Sequence, residues 1–365
     1  MSSDSYVFQT MLTCIGNKRK LIPHLKDLMK DLKSRLNKDN ITVFDGFAGS
    51  GVVSRMFKTM FNQVISNDLE YYSYLMQKCY LNTPSEENKE KIIKHIKNMN
   101  TIAETGPYIE GFISKLYAPK NTKQPKVGER CFYTRENALI IDTLMKYIFE
   151  KVEPDLFHYC MVPLLNKASI HTNTAGVFKG FYKDGNVGKF GGKAENALQR
   201  IMNQIKLDIP IWSHKTNCKV YNKDINELIK TVEEDFDIMY LDPPYNQHPY
   251  GSNYFMLNLI AKNDEPQTIS KVSGIPSDWN KSNYNYTKTA YDSMKELLIY
   301  GLKKATYVVM SYNNEGIIKD NEWKTLFESY NIEKKEIVYD TFKGCRNLSS
   351  RSNKVNEIIY IISKK

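Results

Sequence analysis

Apolar and β-branched residues cluster along the chain in short runs, each closed by a polar or glycine-rich turn. The clearest run starts at Ile41, reads Ile-Thr-Val-Phe-Asp and breaks at Gly46. This pattern predicts a strand ending at Asp45, a glycine turn through Gly51 and a helix over Val52–Met60. The next stretch, 63–66, closes on Asn67 and Asp68 and completes one strand, turn, helix, strand unit of an open α/β sheet. Further strands are predicted at 236–241, 306–312, 336–342 and 357–363, the last two pairing as a C-terminal hairpin across a polar loop. Between Leu81 and Asn217 this alternation stops. Helical spacings at 138–149 and 156–165 there alternate with Gly-, Lys- and Asn-rich loops at 119–130 and 176–193. The expected fold class is α/β: a sheet domain from residues 1–80 and 215–365, with an inserted, mainly helical domain at 81–214.

The composition, 41% apolar and 25% charged, supports a packed core. Lys and Arg number 51 against 41 Asp and Glu, a net charge of +10 that favours a polyanionic partner. The 25 tyrosines offer stacking faces for unpaired bases, although basic proteins without nucleic-acid partners share such a composition. The longest apolar runs, such as 358–362, are far shorter than the roughly 18 to 20 residues of a membrane span. The opening Met1 to Thr10 is polar, unlike a signal peptide. Membrane and secreted readings are therefore set aside and a cytoplasmic location is expected. The six cysteines are scattered with no C-x-x-C pair, so neither a zinc site nor a disulfide framework is expected, and no metal.

Candidate chemistry gathers at strand ends. In Asp45-Gly46-Phe47-Ala48-Gly49-Ser50-Gly51 the glycines permit positive φ and a close approach of ligand to backbone. No Gly-Lys-Ser/Thr follows, which excludes a Walker loop, and the spacing departs from the nicotinamide fingerprint. Asp68, 23 residues after Asp45, stands where a carboxylate can accept both hydroxyls of a ribose. A turn that serves packing alone is the plainer alternative. Asp242-Pro243-Pro244-Tyr245 follows an apolar strand, at the end where open α/β sheets bind ligands. The two prolines remove two backbone donors and fix φ, so the stretch presents acceptors: the Asp242 carboxylate and the Pro243 carbonyl. Together with the flat Tyr245 ring, that set suits the exocyclic amine of a base; a proline-stiffened loop is the alternative.

These motifs resemble the D12-type DNA adenine-N6 methyltransferases that use S-adenosylmethionine. The resemblance covers the first 80 residues and 218–365. Ile15-Gly16-Asn17-Lys18-Arg19-Lys20-Leu21 is similar to the family's N-terminal cofactor motif, Asp45 to Gly51 to its glycine loop, and Leu241 to Tyr245, continuing to Tyr254, to its catalytic motif. Ser311 to Gly316 resembles a later strand-turn motif. The resemblance implies a Rossmann-like methyltransferase sheet, S-adenosylmethionine without a metal, and an insertion in the target-recognition position. By resemblance, Gly16, Asn17 and Lys18 hold the methionine carboxylate, and Asp45, Phe47, Gly49 and Ser50 wrap the methionine part. Asp68 takes the ribose hydroxyls, and Asp242 borders the cofactor. Asp224 accepts from the adenine amine or caps a helix at 225–229, roles that can coexist. Asp242, Pro243, Pro244 and Tyr245 then grip a flipped adenine. The implied activity is site-specific N6 methylation of double-stranded DNA within a restriction-modification system, with a cognate endonuclease acting separately. Alternatives are a cytosine-N4 or RNA adenine methyltransferase, or a non-catalytic DNA-binding subunit with a methyltransferase shell.

DNA contacts are expected at Lys179, Lys183, Lys189 and Lys193, interleaved with Phe178, Phe181, Tyr182 and Phe190, where a solvated loop is the alternative. The hairpin loop 343–354 carries Lys343, Arg346 and Arg351 without an acid and is read as a second phosphate contact. Tyr250, Asn253 and Tyr254 either line the opening left by the flipped base or pack at the start of a helix over 254–261. His248 is read as a DNA contact or a plain surface residue.

Overall fold

The computed structural model describes residues 3–9, 12, 16–192, 195–313, 315–340 and 354–365. Its strands are β1 (Thr42–Asp45), β2 (Gln63–Asn67), β3 (Lys183–Asp184), β4 (Val187–Gly188), β5 (Asn217–Tyr221), β6 (Phe236–Leu241), β7 (Ala305–Asn313), β8 (Tyr330–Asp340) and β9 (Lys354–Lys364). Seven of them form one sheet in the order β5-β2-β1-β6-β7-β9-β8. The pairs from β5 to β7 are parallel, whereas β9 runs antiparallel to both β7 and β8. This is the expected Rossmann-like sheet with its terminal hairpin.

Alternation along each central strand separates two layers. Val43, Val64, Ile238 and Tyr240 face a core completed by the helices Ile22–Leu36 and Val52–Met60. Their strand neighbours Phe44, Ile65, Met239 and Leu241 face another, completed by Ile225–Thr231 and Ala290–Lys304. Both sheet faces are covered, which explains why β6 is buried at all six positions and is apolar apart from Asp237, whose carboxylate accepts from Lys38 and Thr42 N–H.

The inserted segment is mainly helical, with helices at Glu86–Thr105, Arg135–Lys151 and Phe157–Ile170 and the short hairpin β3-β4. Its core is continuous with two helices from the flanking sequence. Tyr72, Leu75 and Met76 of Tyr71–Leu81, and Phe255, Leu257 and Ile260 of Phe255–Lys262, pack in one cluster with Ile141, Leu144, Leu164 and Leu165. Among the described residues no helix is long and apolar enough to cross a membrane.

The elements at 52–60 and 236–241 fall where the sequence pattern places them, and two differences have physical causes. β5 escapes the hydrophobic pattern because it is an edge strand with no buried residue. β8 begins at Tyr330 rather than 336, since an edge strand tolerates the polar stretch from Asn331 to Lys335. The end of the expected strand at 341–342 lies outside the described residues.

Candidate functional site

The order of the sheet reverses between β1 and β6, and ligands of open α/β folds bind at such a switch point. The turn after β1 is pinned from three sides. Gly46 N–H donates to Tyr240 O at 2.9 Å, Ala48 N–H to Asn67 O at 3.0 Å, and Gly51 N–H to Ala48 O at 2.8 Å. Gly51 has φ of 80°, and a Cβ there would stand 2.7 Å from Gln77 Oε1, so only glycine fits. Gly49 has φ of 52° with no atom within 4 Å of a hypothetical Cβ, which leaves open space on the Cα side of the turn, while its N–H donates to Asp68 and its carbonyl accepts from Ser73 and Gln77.

Carboxylates tie this turn to its neighbours. Asp45 Oδ2 accepts from the Ser54 hydroxyl at 2.5 Å. Asp68 accepts from the Gly49 and Glu70 backbone N–H groups at 2.7 and 2.8 Å, and burial pushes its pKa up against those hydrogen bonds. Asn67 accepts from Lys223 N–H at 3.1 Å and donates to the Gly46 and Lys223 carbonyls, which sets Asp224 beside the turn. Asp224 caps the helix Ile225–Thr231, accepting from Asn226 and Glu227 N–H at 2.9 and 3.3 Å.

One cleft, about 970 Å³ of empty space with the open solvent at its mouth included, is lined by Gly16, Asn17, Lys18, Asp45, Phe47, Gly49, Ser50, Asp68, Asp224 and Asp242 together. The structure therefore brings all ten cofactor-site candidates to one place. Of the catalytic motif, Asp242 and Pro244 line it, Pro243 is buried, and Tyr245 sets its ring edge-on to Tyr312, with centroids 6.4 Å apart. The cleft fits an elongated nucleoside ligand. It carries open space beside the Gly49 Cα, carboxylates at two separate stations, and a buried Asn285 Oδ1 with no hydrogen-bond partner among the described residues.

Lys18, expected at a ligand carboxylate, is also paired within the chain. Its ammonium lies 2.7 Å from Asp242 Oδ1, 3.2 Å from Glu357 Oε1 and 3.3 Å from Gly16 O. Three N–H donors thus meet three acceptors, and Lys18 holds Asp242 at the wall of the cleft. Asp242 has its pKa pushed up to about 6 by burial, with Lys18 pulling it down and Glu357 pushing it up. Asn17 caps the short helical turn that follows, accepting from Arg19 N–H at 2.7 Å.

The expected DNA-contacting residues scatter. Tyr254 has no exposure and Asn253 is buried, its carbonyl accepting from Phe178 N–H at 2.7 Å, so both belong to packing rather than to a DNA surface. Tyr250 stacks on Tyr254 at 5.8 Å and lines the cleft. Lys179 and Lys183 are exposed; Lys189 is half-buried and 3.6 Å from Glu195. Phe178 and Phe190 are core residues, which withdraws them as stacking faces. Lys193, Lys343, Arg346 and Arg351 lie outside the described residues.

Sequence reasoning missed Glu357, Glu70, Asn280 and Tyr284. Glu357 carried a signal, an acid at the head of the apolar run 358–362. Glu70 lies two residues past Asp68, accepts from Asn258 and Asn280 side chains at 2.6 and 3.2 Å, and is pushed up to about 7 by burial and by Asp68. Tyr284 meets Phe47 edge-on at 5.1 Å.

Comparison with known proteins agrees with this geometry. The family model for D12 class N6 adenine-specific DNA methyltransferase matches residues 15–341. The chain is 31% identical over 361 residues to the type II methyltransferase M.NlaIII of Neisseria lactamica, covering 96% of this chain and 98% of that one. It is 30% identical over 357 residues to the type II methyltransferase M.CviAII of Paramecium bursaria Chlorella virus 1, covering 95% and 97%. Against the modification methylase StsI of Streptococcus sanguinis identity is 27%, covering 96% of this chain and 52% of the relative. With the sheet order, the glycine turn and the Asp-Pro-Pro-Tyr strand end on one cleft, the chain belongs to the D12 class N6 adenine-specific DNA methyltransferases.

Proposed function

We propose that this chain methylates N6 of an adenine flipped out of double-stranded DNA, with S-adenosylmethionine as donor, as the modification enzyme of a restriction-modification system. One observation carries the reading: the acceptor-bearing end of β6, at Asp242, borders the same cleft as the glycine turn after β1. When bound, S-adenosylmethionine supplies an electrophilic sulfonium methyl. Gly16, Asn17 and the 45–51 turn would hold its methionine half, Asp68 its ribose and Asp224 its adenine amine.

An adenine N6 lone pair is conjugated with the ring and nucleophilically weak. The Asp242 carboxylate and the Pro243 carbonyl each accept one N6 hydrogen, which draws the amine toward tetrahedral geometry. The Asp242 charge also stabilises the positive charge that develops on N6. Holding both reactants in line supplies a large share of the rate enhancement. Inside a duplex the amine is out of reach, so the base is extruded and Tyr245 offers it a ring face. We assign the segment 81–214 to target recognition, with Lys179 and Lys183 on phosphates.

The deciding experiment is incubation of the purified chain with labelled methyl donor and duplex DNA, followed by digestion to nucleosides. Labelled N6-methyladenine is the expected product. Label in N4-methylcytosine, label in RNA alone, or no transfer would replace this reading.

A further inference from the structure

We propose that Glu357 is a positioning residue for methyl transfer, which shares Lys18 with Asp242 and so keeps the catalytic strand end net negative. Glu357 stands on β9 opposite Asn313 of β7, 1% exposed, far from Asp242 in sequence. The Ser311 hydroxyl donates to its carboxylate, and Lys18, itself 4% exposed, lies 3.2 Å from Glu357 Oε1 and 2.7 Å from Asp242 Oδ1. One ammonium thus serves two carboxylates, Glu357 buried and Asp242 half-buried at the cleft. Lys18 paired with Asp242 alone would be a neutral unit, and the ammonium would offset the charge that Asp242 turns toward the reacting amine. A second buried acid costs desolvation, and here it restores a net charge of minus one beside the atom that becomes positive. This inference rests on the reading of Asp242 as the acceptor for the target amine.

The groups facing Asp242 are Lys18, Glu357 on β9, Tyr240 on its own strand and Asp45 on β1. Removing the Glu357 charge ends a repulsion and leaves Lys18 to Asp242, so both effects move Asp242 ionisation to lower pH. Glu357→Gln keeps the shape and removes the charge. Its kcat is expected to fall roughly 10- to 100-fold, its cofactor Kd to stay within about twofold of wild type, and the acid limb of kcat/KM to move to lower pH. Glu357→Asp, which keeps the charge, is expected to recover most of kcat and the wild-type limb. A purely structural role would lower the melting temperature and the folded fraction but leave kcat per folded molecule and the acid limb unmoved, which overturns the proposal. If Glu357→Gln does not fold, Glu357→Asp decides: a kcat loss as large as that of Asp242→Asn overturns it, and near wild-type kcat supports it. Absence of adenine methylation by the wild-type chain would instead remove the underlying reading.

Discussion

Asp68 Oδ2 accepts the backbone N–H of Gly49 at 2.7 Å, so the acid that follows β2 fixes the turn that follows β1. The same carboxylate accepts from Glu70 N–H, and Asp68→Ala leaves two backbone donors without it. The substitution is expected to destabilise the chain by about 1–3 kcal/mol. It is also expected to weaken S-adenosylmethionine binding by at least about tenfold, through loss of the ribose acceptor and of turn order. Urea denaturation and calorimetric titration measure the two effects separately.

Asp242 and Lys18 respond differently to removal. Asp242→Asn leaves Lys18 paired with Glu357, so the fold and cofactor binding are retained while methyl transfer is abolished. Lys18→Met leaves the buried Glu357 and the half-buried Asp242 carboxylates without their cation, a loss expected to cost about 3–5 kcal/mol at neutral pH. The deficit shrinks at pH 5, below the Asp242 pKa of about 6, where that carboxyl takes up a proton. Melting curves at both pH values check the contrast; equal stability of the two variants at neutral pH would contradict it.

Only ionised Asp242 offers its full charge to the developing cation. Its pKa of about 6 in the folded chain predicts that kcat/KM rises with pH through about 6 and levels above it. Stability runs the other way. Burial raises Asp242 from 3.8 to about 6, and raises Asp45 from 3.8 to about 7 against the Ser54 hydrogen bond, with Asp242 and Asp68 adding to the rise. Between those values the folded chain binds more protons than the unfolded one, so these two groups lower the unfolding free energy as pH rises from 3.8 to about 7. Against this background, Asp45→Asn should flatten the slope of stability against pH in that window.

Lys179 and Lys183 are exposed on the inserted segment, and Lys183 lies over the Phe181 ring. If both meet phosphates, alanine at the pair reduces the slope of log Kd against log salt by about 1.8. Fluorescence anisotropy with duplex DNA from low to moderate salt reads this directly. An unchanged slope would assign both lysines to solvent.

The two chemical strand ends were legible because their signals are local. A glycine turn and two consecutive prolines constrain the backbone through the residues that spell them. Glu357 and Glu70 were not legible as site residues, because their positions depend on the neighbours that the sheet order and the helix packing give them. Glu357 reaches Lys18 only because β9 inserts between β7 and β8. Tyr254 shows an ambiguity of the opposite kind: near a catalytic motif a tyrosine reads equally as a base-contacting ring or as helix packing, and the structure puts it in the core beside Tyr72, with ring centroids 6.1 Å apart.

The cluster shared by Tyr71–Leu81, Phe255–Lys262 and the inserted helices has a consequence for evolution and engineering. A unit joined to its host by a flexible seam can be exchanged whole. Here the exchange would tear away a wall of the host, uncovering Leu75, Met76 and Ile260. If 81–214 reads the target as proposed, new sequence preferences should be sought by grafting surface loops onto the existing helices, since transplanting the whole segment would expose that shared core.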